Sequence, residues 1–342
     1  MTSDIYDPFA KEAALRAESE SWDTSQFQEA TEEDVPILDF GPYFESGKPS
    51  EKEQLANKLY KVSTENGFFA LKGHGIPKTA LRTVFEQSMS FHDLPYSMKE
   101  EIRMDQAEHP VKGVGFLPFN NRKLPSRKKG NANEAFIIKR QITKQQQITL
   151  NDNLWPKDSV LPHFKTVVIE YARLMEELAL SMLPIYSAAL KLHADFFNDA
   201  FSSPMYRLRL TKYPPIKKSS SDDLGIGPHV DTSFLTILAQ DGTGLIIFSE
   251  KKQKWLLAPY YEDMFIVNTG ELLRQWTNDT FISVKHFAVN NFGDKPRYSI
   301  PFFVNATADY RMSCIPTCSS ESNPPKYPPF SYIESQASVQ GE

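Results

Sequence analysis

Three side chains with metal-binding chemistry come first. His229 and Asp231 stand one residue apart in Pro228-His229-Val230-Asp231-Thr232, and the run through Leu238 that follows reads as extended chain. Side chains at i and i+2 of a strand share a face, so this spacing aims an imidazole and a carboxylate at one point. His286, within Ser283–Val289, is the candidate third ligand. Two imidazoles and one carboxylate on one side of a metal leave the opposite positions open, a donor set suited to non-haem Fe(II). Arg297 and Ser299, again i and i+2, would offer a guanidinium fork and a hydroxyl to a carboxylate.

Strands are needed to hold these groups. Tyr206–Tyr213 alternates, with Leu208 and Leu210 on one face and Arg207, Arg209, Thr211 and Tyr213 on the other, which predicts a half-buried strand. Short strands are expected at Gly244–Ser249, Trp255–Ala258, Phe265–Asn268, Ser283–Val289 and Tyr298–Val304. Joined by Gly, Asp and Asn turns, they indicate a barrel or jelly roll. The first half differs. Leu55, Leu59 and Val62 stripe a helix over Glu51–Asn66 that Gly67 would end. A second helix covers Lys78–Phe91, and a long one, about Pro162–Leu192, should kink or divide at Pro184. Val35–Phe40, Phe68–Leu71 and Glu134–Ile138 read as strands.

The expected architecture is mainly β with α: a jelly-roll core flanked by N-terminal helices and one long helix. Residues 1–34 read as a polar, loosely attached arm rather than a surface helix over Ala10–Ser19. Residues 35–311 form one domain, mostly helical over 35–200 and carrying the metal site over 201–311. Residues 312–342 are a Pro- and Ser-rich tail, either draped over the barrel mouth or mobile. His74, His92 and His109 read as isolated histidines, and Asn268 and Glu271 as structural parts of the wall. Arg122–Gly130 reads as a solvated basic loop, and Lys217–Asp223 as a polar one.

A net charge of −5 gives no footprint for nucleic acid or an anionic membrane. Cys314 and Cys318 read as free thiols of a reducing compartment. No charged segment leads into an apolar run at the N-terminus, and no run of ~18 apolar residues exists. A cytoplasmic monomer is the expectation.

The motifs resemble, in order from about Val35 to Phe303, the isopenicillin N synthase-like branch of the Fe(II)/2-oxoglutarate-dependent oxygenases. Gly67-Phe68-Phe69 with Gly73-His74-Gly75-Ile76-Pro77 is similar to the family's N-terminal signature, and Phe91–Pro95 with Lys99 to its following segment. Tyr213-Pro214-Pro215, Val267–Glu271 and the H-x-D, distal H and R-x-S residues complete the series. The resemblance implies iron(II), 2-oxoglutarate and O2, with succinate and CO2 released. It gives the iron to His229, Asp231 and His286, and the far carboxylate of 2-oxoglutarate to Arg297, Ser299, Tyr213 and Thr211. At Thr211 many relatives have Asn, so its part is open. The outcome would be hydroxylation, desaturation or oxidative cyclisation of a small molecule in specialised metabolism. Two alternatives stay open: a cosubstrate-free Fe(II) oxidase of the isopenicillin N synthase type, where R-x-S holds the substrate's carboxylate, and a non-redox metal-binding barrel. Arg209 shares the face of Thr211 and Tyr213. It would meet either a protein carboxylate, Glu134 or Glu271, or the carboxylate of an amino acid or other organic acid. Phe116, Phe136 and Phe303 would line the apolar part of such a pocket.

Overall fold

Two β-sheets face each other, and the larger is covered on its far side by helices. The computed structural model describes residues 27–104, 113–120, 130–142, 147–215, 224–290 and 294–340. The segment Ala10–Ser19, His109, the basic run from Arg122 and the loop Lys217–Asp223 lie outside the described residues.

The smaller sheet orders its strands β1 (Gln28–Glu29), β11 (Lys254–Leu257), β10 (Leu245–Ser249), β13 (His286–Ala288) and β8 (Ile226–His229). The larger runs β2 (Ile37–Asp39), β3 (Phe68–Lys72), β12 (Phe265–Thr269), β9 (Leu235–Gln240), β14 (Arg297–Asn305), β7 (Met205–Tyr213), β5 (Glu134–Ile142) and β4 (Gly115–Leu117). A short β6 (Gln147–Ile148) pairs with β5. The pairings are antiparallel except β1 with β11 and β2 with β3. This is the expected jelly-roll core. Residues 28–29, within the stretch read as an arm, are a strand of it.

Alternation sorts the larger sheet's side chains. Phe69, Leu71, Phe136, Leu208, Leu210, Ile237 and Phe302 join the core beneath the helices. Phe68, Ala70, Leu238 and Ile266 point between the sheets, against Leu245, Ile247 and Leu256. The helix layer comprises α1 (Gly41–Ser46), α2 (Pro49–Glu65), α3 (Lys78–His92), α4 (Tyr96–Glu100) and α5 (Phe164–Ala189). A short α6 (Glu271–Trp276) follows β12 directly. Helix α2 buries the expected Leu55, Leu59 and Val62 stripe. It stops because Gly67 turns left-handed at φ +72, where a Cβ would sit 2.5 Å from Val284 Cγ2. That close approach, with Ile282 N–H donating to Ser63 O at 2.9 Å, anchors the segment leading to His286.

Of the two outcomes expected at Pro184, division does not occur, and helix α5 continues through it. The lost hydrogen bond and ring clash cost about 3 kcal/mol. Burial of Leu183, Ile185, Tyr186 and Ala189 around it offsets that cost. Strand β7 is buried on both faces rather than one, because the second sheet closes over Arg209, Thr211 and Tyr213. Its pairing with β14 is interrupted between Ser299↔Thr211 and Phe302↔Leu208, where Pro301 has no N–H to give.

The tail from Met312 packs on the helix side. Thr317 Oγ1 donates to Leu190 O at 2.7 Å, and Tyr327 Oη meets Arg274 and Asp279 at 2.8 Å each. Its last helix, α7 (Tyr332–Gln340), is joined to Ala308 O through Ile333 N–H. Cys314 and Cys318 are free thiols. Among the described residues no helix is long and apolar enough to cross a membrane.

Candidate metal centre and anion pocket

His229 ends β8 and His286 begins β13, and the two are direct cross-strand neighbours. Their ring centroids lie 4.4 Å apart. Each imidazole has its Nδ1 at the carbonyl two residues earlier, His229 at Gly227 O (2.9 Å) and His286 at Val284 O (3.1 Å). Such a bond makes Nδ1 the protonated nitrogen and leaves the Nε2 lone pair facing inward. Asp231 lies two residues beyond β8. Its main chain is fixed by α6, whose first N–H, from Glu271, donates to Asp231 O at 2.7 Å. The approach is tight at Gly270, where a Cβ would fall 1.9 Å from Ser233 O. Asp231 Oδ2 accepts hydrogen bonds from Thr236 Oγ1 (2.6 Å) and Asn268 Nδ2 (2.9 Å).

Three ligand atoms converge. Asp231 Oδ1 lies 3.5 Å from His229 Nε2 and 3.6 Å from His286 Nε2. One ligand atom of each residue falls within 4.8 Å of the others. Metal bonds of about 2.1 Å at right angles would need separations of about 3 Å, so a small inward shift closes the set on an ion. Electrostatics agree. Burial lowers the His286 imidazole to about 4, so it is neutral and can donate a lone pair at physiological pH. Burial works to raise the Asp231 carboxyl, but His286, His229 and the Thr236 hydroxyl hold it well below the usual carboxylate range.

Farther along the inter-sheet face stands Arg297, 2% exposed. Its Nε donates to Gly242 O at 3.2 Å and its Nη2 to Gln240 Oε1 at 3.1 Å, while the guanidinium stacks 4.9 Å from the Tyr213 ring centroid. Arg297 and Tyr213 are cross-strand partners, as are Ser299 and Thr211, and Tyr213 Oη meets Ser299 Oγ at 3.2 Å. Among the described residues, Arg297 Nη1 and Thr211 Oγ1 are buried without a hydrogen-bond partner. A buried donor left unpaired costs about 1–3 kcal/mol, which an acceptor placed beside it would recover. The residues therefore fit a dicarboxylate that chelates a metal at one end and meets a guanidinium at the other.

The substrate-pocket expectations divide. Arg209 does face between the sheets, with Nη2 donating to Asn133 Oδ1 at 2.6 Å. Neither acid considered as its partner turns that way. Glu134 meets Lys99 Nζ at 3.0 Å and His92 Nδ1 at 3.2 Å, and Glu271 pairs with Arg274 at 2.9 Å. Phe116 and Phe136 are corrections. Phe136 alternates with Ala135 and Ile137, so it points to the helix layer, 4.9 Å from Phe91 and 5.0 Å from Phe164 by centroid. Its partner Phe116 faces the same way, 6.2 Å from Phe91. Phe303 alone of the three shares the face of Arg297 and Ser299, half-buried under the Arg207 guanidinium at 4.6 Å. The sequence reading missed Thr236 and Gln240 and took Asn268 as wall. Only their register with Asp231 and Arg297 reveals their parts. His74, as expected for an isolated histidine, bonds backbone, to Asp263 O and Ile76 N.

Two family profiles match the chain. One is the non-haem dioxygenase in morphine synthesis N-terminal region, over residues 35–158; the other is the 2OG-Fe(II) oxygenase superfamily, over residues 204–306. Kihadalactone A synthase LFS of Citrus sinensis is 30% identical over 291 residues, 80% of this chain and 84% of that protein. The 2-oxoglutarate-Fe(II) type oxidoreductase hxnY of Emericella nidulans is 28% identical over 307 residues, 86% of each. Among solved structures, a Neurospora crassa protein in complex with alpha-KG and thymine superposes with a TM-score of 0.78 at 24% identity, covering 91% of this chain and 98% of that one.

Proposed function

This chain belongs to the isopenicillin N synthase-like family of Fe(II)/2-oxoglutarate-dependent dioxygenases, and from that premise we propose which of its residues hold each reactant. It is an oxidoreductase that uses iron(II) and 2-oxoglutarate to oxidise a small molecule. His229 Nε2, Asp231 Oδ1 and His286 Nε2 hold the iron. Arg297, with Ser299, Tyr213 and Thr211 beside it, binds the carboxylate of 2-oxoglutarate remote from the metal. The observation that carries this reading is the convergence of one ligand atom from each of three residues, within 4.8 Å, in a core that also holds a buried guanidinium with a donor unpaired among the described residues. Bound iron and 2-oxoglutarate supply, with O2, the oxidant that removes hydrogen from the substrate.

The chain's own contribution is placement and exclusion of water. The Gly227 and Val284 carbonyls orient the imidazoles, and Gln240 with Gly242 O holds Arg297 extended. Leu238, Leu245 and Ile247 keep the inter-sheet space apolar. The substrate is read as a carboxylic acid, an amino acid or other organic acid of specialised metabolism. Arg209 is buried on the face of Thr211 and Tyr213, one side-chain row further along β7, and Phe303 offers an apolar wall. All these groups come from one chain, and a monomer suffices.

The test is anaerobic equilibrium dialysis followed by an assay for succinate. About one Fe(II) per chain should be retained by the wild type and lost on His286→Ala, Asp231→Ala or His229→Ala with the far-ultraviolet circular dichroism unchanged. Full iron retention and turnover in His286→Ala would reject the ligand assignment.

A further inference from the structure

A histidine ligand has one nitrogen to give, but a carboxylate can bind a metal through one oxygen or through both. In Asp231 the second oxygen is taken. Thr236 Oγ1 of β9 reaches Oδ2 at 2.6 Å and Asn268 Nδ2 of β12 reaches it at 2.9 Å. A carboxylate oxygen can only accept, so the Thr236 proton points at Asp231, and the Ser233 hydroxyl 3.0 Å behind it donates to Thr236 in turn. Thr236 and Asn268 are cross-strand partners, both buried between the sheets. Asn268 is paired on its other side with Phe68 of β3, whose ring meets the His286 imidazole edge-on with centroids 5.4 Å apart. One row of side chains across three strands therefore grips two of the three metal-binding residues.

Resting on the iron-site reading above, we propose that Thr236 and Asn268 are positioning residues that hold Asp231 to one-oxygen coordination, so that its second oxygen would not take a place on the metal. Turning Oδ2 toward the ion would break the hydrogen bonds from the buried Thr236 hydroxyl and Asn268 amide. With Oδ2 tied back, Oδ1 alone faces the Nε2 atoms, and an ion held there would keep positions free for 2-oxoglutarate. Released from both donors, the carboxylate can close on the metal through both oxygens and compete with the chelating cosubstrate for a position.

The experiment reads equilibrium binding, without turnover. Iron-saturated protein is titrated anaerobically with 2-oxoglutarate, following the visible charge-transfer absorption, and iron affinity is measured in parallel by competition with a chromogenic chelator. Thr236→Val removes the hydroxyl at nearly constant shape, Thr236→Ser keeps it, and Asn268→Asp replaces a donor with an acceptor in an isosteric frame. Thr236→Val and Asn268→Asp should each weaken 2-oxoglutarate binding about 10- to 100-fold at full iron occupancy, the range for groups that orient a metal ligand. Thr236→Ser should bind within about threefold of wild type, which a packing role for the Thr236 methyl would not reproduce. Wild-type binding in Thr236→Val, or an equal loss in Thr236→Ser, overturns the proposal; if Thr236→Val does not fold, wild-type binding in Asn268→Asp does so. Asp231→Ala separates the two readings. Undiminished iron affinity there removes the metal site itself, whereas loss of iron there with unchanged 2-oxoglutarate binding in the Thr236 and Asn268 variants removes only the positioning role.

Discussion

Replacing Arg297 by Lys keeps a positive charge in place and removes the fork. The guanidinium's three nitrogens differ in their partners: Nε meets Gly242 O, Nη2 meets Gln240 Oε1, and Nη1 has none among the described residues. A lysine ammonium reaching the same space cannot keep both anchors and also meet a carboxylate, and it gives up the stack on Tyr213 at 4.9 Å. The loss is one to two charge-assisted hydrogen bonds, about 1–3 kcal/mol. At about 1.4 kcal/mol per decade that is a roughly 5- to 150-fold weaker dissociation constant. Anaerobic calorimetry of 2-oxoglutarate binding to the iron-loaded variant measures it directly. Iron affinity should hold, because Arg297 touches none of the three metal-binding residues. A 2-oxoglutarate affinity within twofold of wild type would refute the reasoning, as would a loss of iron that matches the loss of 2-oxoglutarate.

Phe136→Ala should destabilise by about 3–5 kcal/mol, as for a large core truncation, with little change in the KM for substrate; Phe303→Ala should reverse that pattern, by urea unfolding and steady-state kinetics. Burial pushes the Glu134 carboxyl up, but His92 and Lys99 outweigh it and hold the group below its ordinary 4.5. Its stabilisation is thus present above pH 4.5 and lost as pH falls through the lower folded value, so Glu134→Gln should lower the thermal midpoint at neutral pH and lose that deficit in acid. Arg209→Met should lower kcat/KM for an acid substrate far more than for its methyl ester; equal losses on both would remove the carboxylate from the substrate reading.

How far the sequence alone reaches differs from residue to residue. Arg297, Ser299, Thr211 and Tyr213 were legible because period-2 alternation fixes which side chains share a face, and the two strands prove to be paired in that register. His229 and Asp231 converge as their spacing suggested, although Asp231 stands past the end of β8 and is aimed by the helix at Glu271. That His286 sits directly opposite His229 depends on β8 and β13 being neighbours, which local pattern does not encode. The same gap explains the misplaced aromatics. Phe136 faces the helices because it lies opposite Leu210, while Ile137 lies opposite Arg209, a register that neither strand reveals alone. Alternation put Arg209, Thr211 and Tyr213 on one face of β7, but that a second sheet covers the whole face is set by tertiary packing that the strand's own pattern does not encode. Of the alternatives left open by the R-x-S pair, relatives named for 2-oxoglutarate favour that cosubstrate over a cosubstrate-free oxidase.

The most direct measurement is the visible spectrum of the purified protein under anaerobic conditions as Fe(II) and then 2-oxoglutarate are added. A charge-transfer band is expected in the wild type only with both present, absent in Asp231→Ala and His286→Ala, and reached at higher 2-oxoglutarate concentration in Arg297→Lys. No band in the wild type, or an undiminished band in Asp231→Ala, would contradict the site assignment.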